Sequence, residues 1–282
     1  MDFPAASRKQ LDSVRLALQR LVQASTVRLV VSLSAFLDEL DRISLPAGLT
    51  EDRKRVLLRE RVRVLLAHYR VADLVASESR RLGEEIADCI EDARAESFQQ
   101  SRDSVLKKLA AAGLVGLLLS YDRDRAQDTV RKAQSRFSKI AIDNLRRGKL
   151  SGKKQAVDFA RALCAAESKE DAIKAIMRKY GYAHQWQAER VWRTEHTRAV
   201  GLGQYRTQQE LERQGVRTTR TWFCMFKNSR HWHESMHLQT VSGTHTPFIS
   251  GQGTALMYPG DPSAPASEVC NCQCLIEVNI AD

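Results

Sequence analysis

From Glu51 to Leu109 the chain carries no proline and a single glycine, Gly83. Proline removes a backbone donor and clashes with the preceding turn, so nearly sixty residues without one permit continuous helix. Leu58, Val62, Leu65, Tyr69 and Ala72 recur at spacings of three and four. That is the narrow apolar stripe of a helix packing on another helix. Leu11, Val14, Leu18, Leu21 and Ser25 repeat the pattern upstream. Between the two lies LPAGLTEDR, where Pro46 and Gly48 end one helix and Thr50, Glu51 and Asp52 begin the next. The expectation for 51–109 is one long helix, with Gly83 as its kink.

Further helices are expected at 122–147, 154–165 and 169–179, the last opened by a capping box of Ser168 and Asp171. GKLSGKK (148–154) has a phosphate-loop look, but its glycines are one residue too close and no Ser or Thr follows the lysine. It reads as a basic linker and as the preferred domain boundary. The stretch Tyr182–Gln214 reads as a helix with Ala188, Trp192, Glu195, Ala199 and Leu202 on one face. A carboxylate on an apolar stripe needs a partner. Arg193, Arg198 and the distant Arg230 are the candidates for Glu195, unless the stripe is shifted and Glu195 stands at its wet edge. After Gly215 the character changes. RTTRTWFCMF is β-prone, 243–266 is rich in Gly, Pro, Ser and Thr, and CQCLIEVNI is a closing strand able to pair with 217–226. The fold class is therefore mostly α: an elongated helical N-terminal region and a small α+β C-terminal domain. The division reads 1–150 as a helical arm, 151–181 as a helical linker and 182–282 as the C-terminal domain.

Aromatic residues make up 6% of the chain and charged residues 28%, a balance that suits solvated helices better than a β-sandwich. The formal net charge is +10 and the isoelectric point about 9.5. That excess points to a polyanionic neighbour, with double-stranded DNA first and contact through backbone phosphates. Met1–Lys9 has no apolar run behind its charges, so no secretion signal is expected. The longest apolar run, LAAAGLVGLLL (109–119), is too short to span a bilayer, and no membrane partner is expected.

Histidine and cysteine crowd into the last sixty residues: Cys224, His231, His233, His237, His245, Cys270, Cys272 and Cys274. Such clustering is the raw material of a zinc site. Residues i and i+2 of a strand point the same way but lie about 6.6 Å apart. A disulfide needs β-carbons roughly 3.5–4.5 Å apart, so Cys270–Cys272 and Cys272–Cys274 bridges would be strained. The expectation is that the thiols are buried apolar anchors pinning 244–267 against the sheet, with no cofactor; the alternative is that Cys272 and Cys274 meet His233 at a zinc, with Cys224 or His237 as the fourth ligand.

Several motifs occur in a fixed order: Arg193-Thr194-Glu195 on a helix, Trp222, Arg230-x-x-His233, MHLQTV (236–241), Phe248, YPGDPSAPASEV (258–269) and NCQC (271–274). This order resembles the C-terminal domain of the phage Mu F-like head morphogenesis proteins, minor capsid proteins of tailed phages. The resemblance covers about residues 182–282. Gln273 stands where the family has arginine, Leu238 stands near a family glycine, and the acidic residue that often precedes R-x-x-H is absent. The resemblance implies structural roles for Arg193, Glu195, Trp222, Arg230, Pro259, Gly260, Asp261 and Asn271, and a joint role for His233, Cys272 and Cys274. It implies a non-enzymatic minor head protein inside the capsid near the portal, assembled in the bacterial cytoplasm, with portal and capsid proteins as partners and a role in head assembly and genome packaging or delivery. Two competing readings are a toxin-like enzyme of the ADP-ribosyltransferase or nuclease kind and a cytoplasmic non-specific DNA-binding protein.

Overall fold

A computed structural model describes residues 3–111, 123–134, 136–149, 153–226 and 229–281. The chain begins with helices α1 (Phe3–Ser32), α2 (Ser34–Asp41), α3 (Glu51–His68) and α4 (Val71–Ala111). Helices α5 (Arg123–Lys132), α6 (Arg136–Arg146), α7 (Lys153–Cys164) and α8 (Lys169–Ala175) follow. A π-helical turn at Ile176–Gly181 runs directly into α9 (Tyr182–Arg213). The remainder alternates strands with single helical turns: β1 (Thr218–Phe223), α10 (His231–Glu234), β2 (Thr240–Ser242), β3 (Phe248–Ile249), β4 (Ala255–Leu256), α11 (Ala266–Val269) and β5 (Leu275–Ile280). Among the described residues the fold is mostly α, with its few antiparallel strands in the C-terminal region.

Two compact units divide the chain, one made of 1–15, 88–141 and 190–282, the other of 16–87 and 142–189. This interleaved division differs from sequential boundaries at 150 and 181, because each unit assembles segments remote in sequence. Much of the apolar run 109–119 and part of the linker 148–154 lie outside the described residues.

In the unit formed by 16–87 and 142–189, the core is aliphatic and aromatic: Leu18, Leu29, Phe36, Leu82, Ile86 and Ile176 are buried. Ser25, a polar member of the first stripe, is buried with partners. Its hydroxyl donates to Glu78 at 2.8 Å and bonds the Tyr180 hydroxyl at 3.1 Å. Arg28 closes the group by donating to Glu78 at 2.8 Å. The long helix expected over 51–109 is broken, but at Arg70 and not at Gly83. Arg70 has φ 47, the left-handed region, and its guanidinium reaches Asp73 at 2.7 Å. Gly83 is needed for a different reason. A Cβ there would lie 1.6 Å from the carbonyl oxygen of Leu145, so glycine permits α4 and α6 to touch backbone to backbone. The capping box is present in half: the Ser168 hydroxyl accepts from the Asp171 amide at 3.1 Å. Two helices, α5 and α6, occupy the stretch expected as one over 122–147.

In the other unit, β1 is the centre of a three-stranded antiparallel sheet of order β2-β1-β5. Trp222 pairs with Ile276 and Arg220 with Val278, so the strand pairing expected from sequence is the one formed. Alternation turns Thr218, Arg220 and Trp222 inward. The core gathers Trp222, Met236, Phe248, Tyr258 and Ile276 against Ala199 and Leu202 of α9. Gly203 lets α9 approach α4, since a Cβ there would meet the Ser101 hydroxyl at 1.9 Å. The irregular stretch 243–266 contains a short hairpin, with Phe248 opposite Leu256. Arg220 is wholly buried. It donates to Gln208 at 2.7 Å and to the carbonyls of Gly243 and Thr246 at 2.7 and 2.6 Å, and it stacks over Tyr205 and Phe248. It thereby ties the start of this loop to the sheet.

Candidate metal centre

The NCQC segment leaves α11 through Cys270 and Asn271 and enters β5 at Leu275. Asn271 has φ 59, a conformation that asparagine tolerates better than most residues. Its place in the motif thus has a backbone cause. Leu238 also has a positive φ, 64, a left-handed conformation that leucine adopts only under strain.

His233 stands on the single turn α10, and the NCQC segment brings Cys272 and Cys274 to it. The ligand-type atoms of these three residues lie within 4.8 Å of one another, and all three residues are buried. His233 Nδ1 is 3.6 Å from Cys272 Sγ and 3.7 Å from Cys274 Sγ. A tetrahedral zinc with Zn–S of about 2.3 Å and Zn–N of about 2.0–2.1 Å requires N···S edges of about 3.5–3.6 Å. The observed separations match that edge. The Cys274 amide also donates to Cys272 Sγ at 3.4 Å, which favours a thiolate. The buried indole N–H of Trp222 has no hydrogen-bond partner, yet it lies near enough to Cys274 to favour that thiolate too.

The electrostatics agree with the geometry. Cys272 is held well below the ordinary thiol range, by Cys274 first, then by His233 and the Cys274 amide, against the opposing effect of burial. Cys274 is pushed up, because its neighbour Cys272 takes the thiolate and burial disfavours a second one. His233 is raised: burial works against its charge, but Cys272 and Glu268 together outweigh it. Their proximity and burial thus disfavour a second thiolate beside the first. A divalent cation supplies the charge that allows both sulfurs to ionise.

Behind His233 lies a residue that the sequence reading passed over. Glu268, on α11, accepts from His233 Nε2 at 2.6 Å and is itself buried. The same oxygen accepts the Trp232 indole at 3.0 Å, and the other oxygen accepts the Ser250 hydroxyl at 3.2 Å. Glu234, the acid next to His233 in sequence, is exposed. Glu268 arrives from thirty-five positions downstream. Its one sequence signal is its place two residues before the cysteine run.

The remaining sequence candidates are distributed as follows. Cys224 is buried in the same core and close enough to Cys274 to raise its thiol, but it lies outside the three-residue group. His237 is directed elsewhere: its Nδ1 accepts the Cys224 amide at 3.1 Å, and its ring packs on Phe223 and Phe226. His231 and His245 are exposed. All six cysteines are free.

The other motif residues brace the polypeptide that carries the centre. Arg193 donates to the Asn271 side chain at 3.4 Å, and Arg230 donates to the Cys270 carbonyl. Thr194 accepts the Asn271 amide at 2.8 Å, and Thr197 donates to the Cys272 carbonyl at 2.6 Å. Arg198 donates to the Gly260 carbonyl at 3.0 Å. Gly260 has φ 81, and a Cβ there would lie 2.8 Å from the Arg198 Cα. Gly201 in turn admits the Pro259 carbonyl, which a Cβ would meet at 2.7 Å. Asp261 accepts the amides of Met257 and Ser263, both at 2.9 Å, and so fixes the turn after Pro259. Glu195 is fully buried on the α9 stripe. It pairs with Arg198 at 2.8 Å and with Arg94 of α4 at 3.5 Å. Arg198 was one of its expected partners; Arg94 was not, and Arg193 and Arg230 serve the Cys270–Asn271 turn instead.

Searches against protein-family models, curated proteins and solved structures find no match for this chain.

Proposed function

We propose that this chain is a minor head protein of a tailed phage, with a C-terminal domain whose motifs form a non-catalytic, metal-stapled core. The ordered motifs over 182–282 and their resemblance to the Mu F-like domain support the phage-head reading, and the direction of the motif residues supports a non-catalytic core. Arg193, Thr194, Thr197 and Arg198 on one helix, with Arg230 across from them, hold the segments 258–261 and 270–272 in place. Residues arranged for turnover would converge on a space open to substrate. These converge on backbone. His233, Cys272 and Cys274 are at most 3% exposed.

Zinc is the metal proposed. Thiolate and imidazole donors in a tetrahedral arrangement select it over magnesium or calcium, which prefer oxygen. Two thiolates and a neutral imidazole offset its double positive charge. Cys224 is the candidate for the fourth position. When bound, the metal cross-links α10 to the chain entering β5, a role comparable to that of a disulfide in a small domain.

The proposed partners are the portal and neighbouring capsid proteins, together with packaged double-stranded DNA, consistent with the net charge of +10. The proposed location is the capsid interior, reached from the host cytoplasm. Mass spectrometry of gradient-purified, DNA-filled particles from the producing cells tests this reading. The chain is expected in the head fraction in a few copies per particle. Its absence from heads, or turnover of NAD or nucleic acid by the purified protein, would overturn the assignment.

A further inference from the structure

We propose that Glu268 is the positioning residue of the metal centre: its carboxylate selects the histidine tautomer that presents Nδ1 to both sulfurs, and so sets the affinity for metal. The inference rests on the zinc reading above and adds to it the element that orients the ligand. A neutral imidazole carries its proton on one nitrogen and offers a lone pair on the other. His233 Nε2 lies 2.6 Å from Glu268 Oε2, so the proton belongs there as an Nε2–H donor. The lone pair is then on Nδ1, the atom that faces Cys272 and Cys274 at 3.6 and 3.7 Å. With the other tautomer the Nδ1–H would point at the sulfurs and close the site to a cation. Holding the proton on Nε2 thus favours metal binding at Nδ1.

The carboxylate is well placed for this task because it is itself held on both oxygens. Trp232 donates to Oε2 at 3.0 Å, and Ser250 donates to Oε1 at 3.2 Å. Ser250 is in turn part of the hairpin turn it begins. Its hydroxyl accepts the amides of Gln252 and Thr254 at 3.3 and 3.2 Å. The Gly251 amide donates to the Trp232 carbonyl at 3.0 Å, joining the hairpin turn to α10. Glu268 therefore joins α11, the 250–254 turn and the histidine-bearing turn α10. Carboxylate–histidine–metal arrangements of this kind raise ligand basicity, and their loss typically weakens metal binding 10- to 100-fold.

The test uses the full chain with zinc or cobalt(II) as the probe. Cobalt reports the site through sulfur-to-metal charge-transfer absorption, and a competing chelator gives the affinity. Wild type is expected to bind one equivalent. Glu268→Gln, which keeps the shape and removes the charge, is expected to bind with the same ligand spectrum but 10- to 100-fold more weakly. If wild type binds no cobalt or zinc, the metal reading itself fails. If wild type binds and Glu268→Gln binds equally well, the metal reading stands and the role of Glu268 is refuted. A second measurement needs no variant. Nitrogen-15 spectra of histidine-labelled wild type loaded with zinc are expected to show the His233 proton on Nε2 and the metal on Nδ1. The reverse assignment would overturn the proposal even if Glu268→Gln failed to fold.

Discussion

Replacing Glu195 by glutamine removes one negative charge from a site that holds two buried guanidinium groups. Glu195 is 1% exposed, and the Arg198 and Arg94 side chains are 1% and 4% exposed. Burial already depresses the guanidinium of Arg94, with Glu195 as the largest compensating charge and Glu91 next. Breaking a buried ion pair by removing one partner costs about 3–5 kcal/mol, because the remaining charge stays buried and unpaired. Two features hold the loss toward the lower end. Arg198 keeps its bonds to Ser138 and the Gly260 carbonyl, and Glu91 remains 3.9 Å from Arg94. The expected loss is about 3 kcal/mol. Urea unfolding of the full chain, followed by tryptophan fluorescence, reports it, since Trp192 and Trp222 are both buried in the same unit. Glu39→Gln is the control: Glu39 pairs with Arg42 on the surface, and its loss is expected to cost about 0–1 kcal/mol. A loss below 1 kcal/mol for Glu195→Gln would return Glu195 to the wet edge of its helix and refute the bracing argument for α9.

His184 and His196 are buried and neutral, each lowered to about 4 by burial. Their folded values lie below the unfolded value near 6.5, so protonation favours the unfolded chain, and the stability present above pH 6.5 is lost as pH falls toward 4. Each is expected to cost about 2 kcal/mol between pH 7 and pH 5; urea midpoints at the two values check this, and His196→Gln should flatten the slope. Gly83→Ala separates packing from kinking. Helix propensity alone would make it stabilising by about 1 kcal/mol, whereas the contact with Leu145 predicts a net loss of more than about 2 kcal/mol in a thermal or urea melt. Cys224→Ser is expected to weaken zinc binding and to remove one sulfur from the coordination shell seen by X-ray absorption. An unchanged shell excludes Cys224 as the fourth ligand.

What could be read from the sequence follows the range of the interactions concerned. Helical character came through because the three-and-four periodicity and the start signal at Ser168 are local, whereas the breaks at Arg70 and between α5 and α6 carry no proline or glycine to announce them. The pairing of 218–223 with 275–280 was legible because alternation and turn residues bracket both strands. Crowding of histidine and cysteine near the end of the chain marked the region, but eight residues share it, and the grouping of His233, Cys272 and Cys274 came from the motif resemblance. Arg94 and Glu268 were not legible. Their partners lie 101 and 35 positions away, and neither a single arginine in an exposed-looking helix nor a single glutamate in a loop carries a local signal. Gly83 was misread for the same reason. A helix-interior glycine has a local cost, but its cause here is the Leu145 carbonyl on another helix. The interleaved units likewise depend on long-range packing that no stretch of sequence announces.

In the proposed structure-stabilising role, His233, Cys272 and Cys274 hold a metal that staples the C-terminal core. Elemental analysis of the full chain, purified without chelator beside its Cys272→Ser/Cys274→Ser variant, addresses it most directly. About one zinc per wild-type chain and essentially none in the variant is the predicted result. Wild-type protein that carries no metal and takes up none when zinc is supplied would contradict it, leaving the three residues as packing alone.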